Sequence, residues 1–308
     1  MFRYHSEPAV LNEATRQMAP GQFVKLSDGY THYEIAGPDQ AETIVLVHGF
    51  SVPYYVWDPT FPALVQAGFR VLRYDLFGRG YSDRPATRYD YDLYDRQLQE
   101  LLTALDITPP VHLIGLSMGG AIVVTFTARH PAQVAKLCLI DPAGLPTALP
   151  SGARWLKIPI LAEFMLDVWG ENLLASTLKD DFHKVERFTD YQNAHRMYRA
   201  QMQYRGFRHA LVSTLRSDVL TGATEAYAAV GTQERPVMLI WGQEDATIPF
   251  ETHRKVQAII PQVEFYPIED AGHIPHYERP EIVNSLLIQF LQKPTRHNNL
   301  STKAGAAK

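Results

Sequence analysis

Cysteine is almost missing from this chain. Cys138 is the only one in 308 residues, so no intrachain disulfide can form. It lies in the apolar run 134–140 and reads as a small core residue with no thiolate-activating context. No apolar run approaches the roughly 20 residues needed to span a bilayer. The opening MFRYHSEPAV lacks the basic start and apolar stretch of a secretory signal. The expectation is a cytoplasmic protein without a membrane span. Neither sign of charge dominates: the formal net charge is −4 and the pI about 6.3, which gives no pull toward nucleic acid or anionic membranes. His183, His195 and His209 are scattered without His-Glu-x-x-His spacing, so neither a metal nor a cofactor is expected. Internal repeats and low-complexity segments are absent. With 46% hydrophobic and 20% charged residues, what remains is one large globular domain, or a domain carrying an insertion.

The most informative stretch that is present is Val111-His112-Leu113-Ile114-Gly115-Leu116-Ser117-Met118-Gly119-Gly120. A short apolar run ends in Gly-x-Ser-x-Gly and passes directly into a second apolar segment, 121–130. Strand, sharp turn and helix form the context in which this box presents a serine nucleophile. So tight a turn predicts a strained backbone at Ser117, with small neighbours at Gly115, Gly119 and Gly120.

The rest of the chain alternates between strand and helix signals. Residues 1–20 are polar and irregular, with room for one short surface helix. Residues 22–26 and 30–36 flank Ser27-Asp28-Gly29 and predict an antiparallel hairpin. Buried strands are expected at 43–47, 69–74, 111–116, 134–140, 237–241 and 263–266, where apolar runs are short and bounded by turn residues. Helices are expected near 60–67, over Leu93 to Leu105, near 207–220, near 251–260 and over 281–292. The segment after the serine conflicts with propensity, because Ile122-Val123-Val124-Thr125 is β-branched. A parallel crossover still requires a helix there, so a fully buried central helix is predicted. Between 145 and 205 the alternation stops in favour of aromatic and large apolar residues, which predicts a helical insertion.

A serine hydroxyl needs a base, and a histidine base needs an acid to hold its tautomer. The strand at 237–241 runs into Gly242-Gln243-Glu244-Asp245, and the strand at 263–266 into Asp270-Ala271-Gly272-His273. The reading is Ser117 as nucleophile, His273 as base and Asp245 as acid. His276 competes with His273, and Glu244 competes with Asp245. Asp75 and Arg79 read as an internal loop pair, and His48 as a brace for the loop after residues 43–47.

Over about residues 20–292, the chain resembles the α/β-hydrolases. The resemblance rests on His48-Gly49-Phe50, residues 75–82, the Gly115 to Gly119 box, Trp241 to Asp245, Gly272-His273 and the order Ser, Asp, His. It implies a mostly parallel eight-stranded sheet with helices on both faces and a helical cap inserted after strand 6. The core would be residues 1–144 and 206–293, the cap 145–205, and the tail 294–308 disordered. It also implies an oxyanion hole from the backbone N–H groups of Phe50 and Met118. Asp141 becomes a third candidate acid, since some family members place theirs on that strand.

The resemblance implies serine-based acyl transfer to water. A serine at position 117 argues against the dehalogenase and epoxide-hydrolase branches, which use aspartate there. The leading expectation is a carboxylesterase for short- to medium-chain esters, or a monoacylglycerol-type lipase, acting on a small molecule. Candidate substrate-lining residues are Tyr54, Tyr55 and Trp57, with Trp155 and Phe164 of the insertion. A C–C bond hydrolase of ring-cleavage products is the alternative, although Leu116 stands where that branch would carry asparagine. A cofactor-free perhydrolase and a non-catalytic ligand receptor stay open, as does the oligomeric state.

Overall fold

The computed structural model describes residues 4–146, 163, 166, 167, 170, 174, 178–185 and 191–294. The predicted hairpin forms: β1 (Gln22–Leu26) pairs antiparallel with β2 (Gly29–Ala36), with Leu26 opposite Gly29 at the turn. Then follow β3 (Thr43–Val47), β4 (Arg70–Tyr74), β5 (Val111–Leu116), β6 (Val134–Ile140), β7 (Val237–Gly242) and β8 (Glu264–Ile268). They make one eight-stranded sheet in the order β1-β2-β4-β3-β5-β6-β7-β8, parallel from β4 onward.

The central strands are apolar throughout because both faces are covered. Along β3, Val45 and Val47 enter one core cluster, while Ile44 and Leu46 enter the other. The first cluster packs against α3 (Tyr91–Ala104) and α4 (Met118–Arg129), the second against α2 (Phe61–Gln66) and the final helix, Pro280–Gln292. Burial overrides propensity in α4: Met118 through Thr127 are all buried, and the β-branched residues are helical. Strand β8 runs past Tyr266, the expected end, through Pro267 to Ile268. As an edge strand bonded only to β7, it tolerates a residue without an N–H. Helix Thr224–Gly231 falls in a stretch that reads without a clear element. It packs Tyr227 and Val230 into the first cluster.

After β6 the described residues include helix Tyr191–Met202 and then helix Phe207–Arg216. The N-terminal α1 (Glu13–Met18) buries nothing, as a surface helix should, but the segment before it does more than the sequence suggests. Glu7 is buried. Its carboxylate accepts from the N–H groups of Gly206 and Arg208, at 2.6 and 2.7 Å, where helix Phe207–Arg216 begins. It also pairs with the buried Arg208 guanidinium at 3.4 Å. Removing one partner of a buried pair strands the other charge and typically costs about 3–5 kcal/mol. Glu7→Ala is therefore expected to lower the unfolding free energy by about 3 kcal/mol in a urea titration. A change below about 0.5 kcal/mol, the scale of an ordinary surface substitution, would show that the clamp carries no stability.

Candidate active site

Strand β5 ends in the turn that the glycine pattern requires. Ser117 has φ 53° and ψ −120°, a conformation side-chain-bearing residues rarely hold. It is pinned by its own N–H donating to the Ile140 carbonyl at 2.9 Å. Its carbonyl accepts from Gly120 and Ala143, each at 2.9 Å. Closeness explains the glycines. A Cβ on Gly119 would lie 2.2 Å from the Val47 carbonyl oxygen, and one on Gly115 would lie 2.4 Å from that of Gly119. The loop after β3 is in van der Waals range of the serine, since a Cβ on Gly49 would stand 3.4 Å from the Ser117 Cβ.

Among the candidate acids, the imidazole of His273 meets Asp245. Nδ1 lies 2.8 Å from Asp245 Oδ2, and both residues are buried. A carboxylate partner makes Nδ1–H the donor, which leaves Nε2 as the lone-pair nitrogen. Asp245 is held in turn by the N–H groups of Thr247 and Ile248, at 2.8 and 2.9 Å on Oδ1. Burial pulls the His273 imidazolium pKa down. The charge and hydrogen bond of Asp245, with the charge of Asp181, outweigh it and hold the pKa above the ordinary histidine value. Glu244 turns away to accept from the Ala271 N–H at 3.0 Å. His276 is a core residue: it bonds the Val56 carbonyl at 3.1 Å and packs on Trp57, and burial pushes its pKa down to about 3.

The N–H groups of Phe50 and Met118 lie in the loop after β3 and at the head of α4. Neither is engaged by another group among the described residues. The carbonyl of Phe50 is braced by Arg79. Arg79 does not pair with Asp75. Its Nε donates to the Phe50 carbonyl at 2.8 Å, while the rest of its buried guanidinium bonds the Phe77 carbonyl, the Tyr94 hydroxyl and Thr214. Asp75 pairs instead with His32 at 2.7 Å and accepts from the N–H groups of Tyr54 and Tyr81. His48 donates from Nδ1 to the Gly49 carbonyl and accepts from the Leu76 N–H at Nε2, each at 2.9 Å, which fixes a neutral tautomer. Burial lowers its pKa to about 4, as a structural brace requires.

The candidate lining residues separate. Trp57 is fully buried against His276 in the second core cluster, so it supports the loop from beneath rather than lining an entrance. Tyr54 and Tyr55 line a cavity of about 100 Å³ together with Tyr81, Met197, Gln201 and Tyr204; neither Ser117 nor His273 borders it. Trp155 and Phe164 lie outside the described residues. Contacts from residues 181–184 to the loop that carries His273 came without any sequence signal. The Asp181 carbonyl accepts from the His273 N–H at 2.9 Å. The Glu278 carboxylate bonds the N–H groups of Gly272, His183 and Lys184 together. Phe50 and Val52 pack against an apolar cluster of Leu178, Tyr198, Met202, Phe207 and Leu211.

An elbow serine after β5, an acid after β7 and a histidine after β8 form a constellation defined by topology. A family model described as the alpha/beta hydrolase fold matches residues 42–280. This chain belongs to the alpha/beta hydrolase fold family. The hydrolase is 29% identical over 245 residues to Lipase 3 of Moraxella sp. (strain TA144), spanning 77% of this chain and 73% of the relative. It is 28% identical over 254 residues to Lipase 1 of Psychrobacter immobilis, spanning 80% and 75%. Among solved structures, a meta-cleavage product hydrolase from Pseudomonas fluorescens IP01 matches with a TM-score of 0.73. That match has 21% identity over 89% of this hydrolase and 98% of the other chain, a likeness of fold. No helix among the described residues of the hydrolase is long and apolar enough to cross a membrane.

Proposed function

We propose that this α/β-hydrolase cleaves carboxylic esters of small molecules through an acyl-enzyme on Ser117. The observation that carries this reading is the 2.8 Å bond from His273 to Asp245, which leaves Nε2 free to take a proton. His273 accepts the hydroxyl proton as Ser117 Oγ attacks the ester carbonyl carbon. The negative charge moves to the carbonyl oxygen, where the N–H groups of Phe50 and Met118 receive it. Donors of this kind are worth about 2.7–4 kcal/mol each. His273 then protonates the departing alkoxide. A water, deprotonated by the same nitrogen, frees the carboxylic acid and restores Ser117.

Two features favour an aliphatic acyl group. The relatives named above are called lipases, and the insertion sets an apolar cluster against Phe50 and Val52. The test is a panel of p-nitrophenyl esters from acetate to palmitate, combined with fluorophosphonate labelling. Turnover concentrated on the shorter members, with one label per chain on Ser117, is the expected result. Labelling with turnover only on a ring-cleavage dienone would replace the ester reading by C–C bond hydrolysis. Binding without any turnover would make the protein a ligand receptor.

A further inference from the structure

Asp141 stands at the end of β6 with φ 42°, wholly buried, and the ester mechanism leaves it without a role. Asp141, Asp245 and His273 each bring a potential ligand atom within 4.8 Å of the other two. Two carboxylates this close and this dry cannot both ionise. Their donors decide which one does. Asp245 receives three hydrogen bonds, from His273 Nδ1 and the N–H groups of Thr247 and Ile248. Asp141 receives one, from the Gly242 N–H to Oδ1 at 2.9 Å. Its Oδ2 is buried without a donor. An anionic oxygen left so would cost several kcal/mol, whereas an O–H at Oδ2 turns the orphan into a donor facing the neighbouring carboxylate.

We infer that Asp141 is a neutral carboxylic acid whose O–H donates a hydrogen bond to Asp245, making Asp141 a positioning residue that sets how much negative charge His273 feels. This inference rests on the proposed Ser117–His273–Asp245 reading. The other charged groups around the site are Glu278 and, beside His273, Asp181. Burial first, and then the charge of Asp245, push the Asp141 carboxyl well above the usual carboxylate range, in the same sense as the geometry. A donor on Asp245 spreads its charge. It keeps the imidazolium from being stabilised so strongly that the base is protonated at neutral pH.

The substitutions Asp141→Asn and Asp141→Leu separate the possibilities. Asparagine matches the neutral acid, with an oxygen for the Gly242 N–H and an NH₂ in place of the O–H. Leucine removes the donor. Asp141→Leu is expected to lower kcat/KM by about 10- to 100-fold, the worth of a hydrogen bond to a charged group. It is also expected to move the acid limb of the pH profile upward, because an unshared Asp245 charge raises the His273 pKa. Asp141→Asn is expected to rescue both. If Asp141 is ionised instead, Asp141→Asn deletes a negative charge and moves the limb downward, which overturns the inference. A crippled Asp141→Asn overturns it too and places the acid on β6.

Infrared difference spectra provide a readout independent of turnover. A protonated-carboxyl stretch, present in Ser117→Ala and missing in Ser117→Ala/Asp141→Asn, is expected at neutral pH, and its absence sinks the proposal. If the band is present but Ser117→Ala still hydrolyses esters at the wild-type rate, the proton on Asp141 stands and the triad reading falls.

Discussion

Ser117→Ala is expected to lower kcat on a p-nitrophenyl ester by about 10⁴-fold or more, with the thermal midpoint close to that of the wild type. The magnitude follows from what the substitution removes. The hydroxyl is the atom that attacks, and no other side chain can replace it at the turn. Binding and the N–H groups of Phe50 and Met118 survive, and such a remnant typically retains about 10³- to 10⁴-fold over water. The fold should persist because the strained turn is held through backbone groups, from Ile140 to Ser117 and from Ser117 to Gly120 and Ala143. Alanine occupies φ 53° at no greater steric cost than serine. Equal rates for the two proteins would remove Ser117 from the mechanism.

Asp245→Asn is expected to cost about 10⁴-fold in kcat, as loss of the orienting carboxylate does in comparable triads. The cause is a tautomer. Aspartate accepts from His273 Nδ1–H and leaves Nε2 bare. An asparagine NH₂ pointed at Nδ1 would make that nitrogen the acceptor and put the proton on Nε2, where no proton can be taken from Ser117. The loss should hold across the pH range, because the imidazole is neutral but wrongly protonated. The asparagine oxygen can still receive Thr247 and Ile248, so the loop stays in place. A mild effect here, together with a severe one for Asp141→Asn, would show that the base is served from β6.

Strands β3 and β6 are legible to the residue in the sequence, because a strand buried on both faces is a short continuous apolar run between turn residues. The elbow is equally legible: Gly115, Gly119 and Gly120 record steric limits imposed by neighbours a few ångströms away, and such limits leave a mark on composition. The order Ser117, Asp245, His273 follows from the strand ends that carry these residues. Helix Thr224–Gly231 is not legible because its short alanine-rich stretch has little apolar periodicity, and β8 reaches two residues beyond 263–266 because an edge strand tolerates Pro267.

The choice of partners belongs to the tertiary structure. Asp245, Asp141 and Glu244 are all acids at strand ends, and no local pattern says which carboxylate meets an imidazole. That depends on how the loops after β6, β7 and β8 close on one another. Arg79 reads as a partner for the nearby Asp75, yet it holds the carbonyl of Phe50, 29 residues away in sequence. Trp57 reads as an aromatic rim and is a core residue, because the turn of helix Tyr54–Trp57 points it beneath the sheet's second face. Glu7 sits in a stretch that looks like a loose terminus and clamps a helix about 200 residues later. Backbone form is written in periodicity and steric punctuation, which are local. Which buried charge meets which donor is a property of contacts between distant segments, and only the folded chain brings those together.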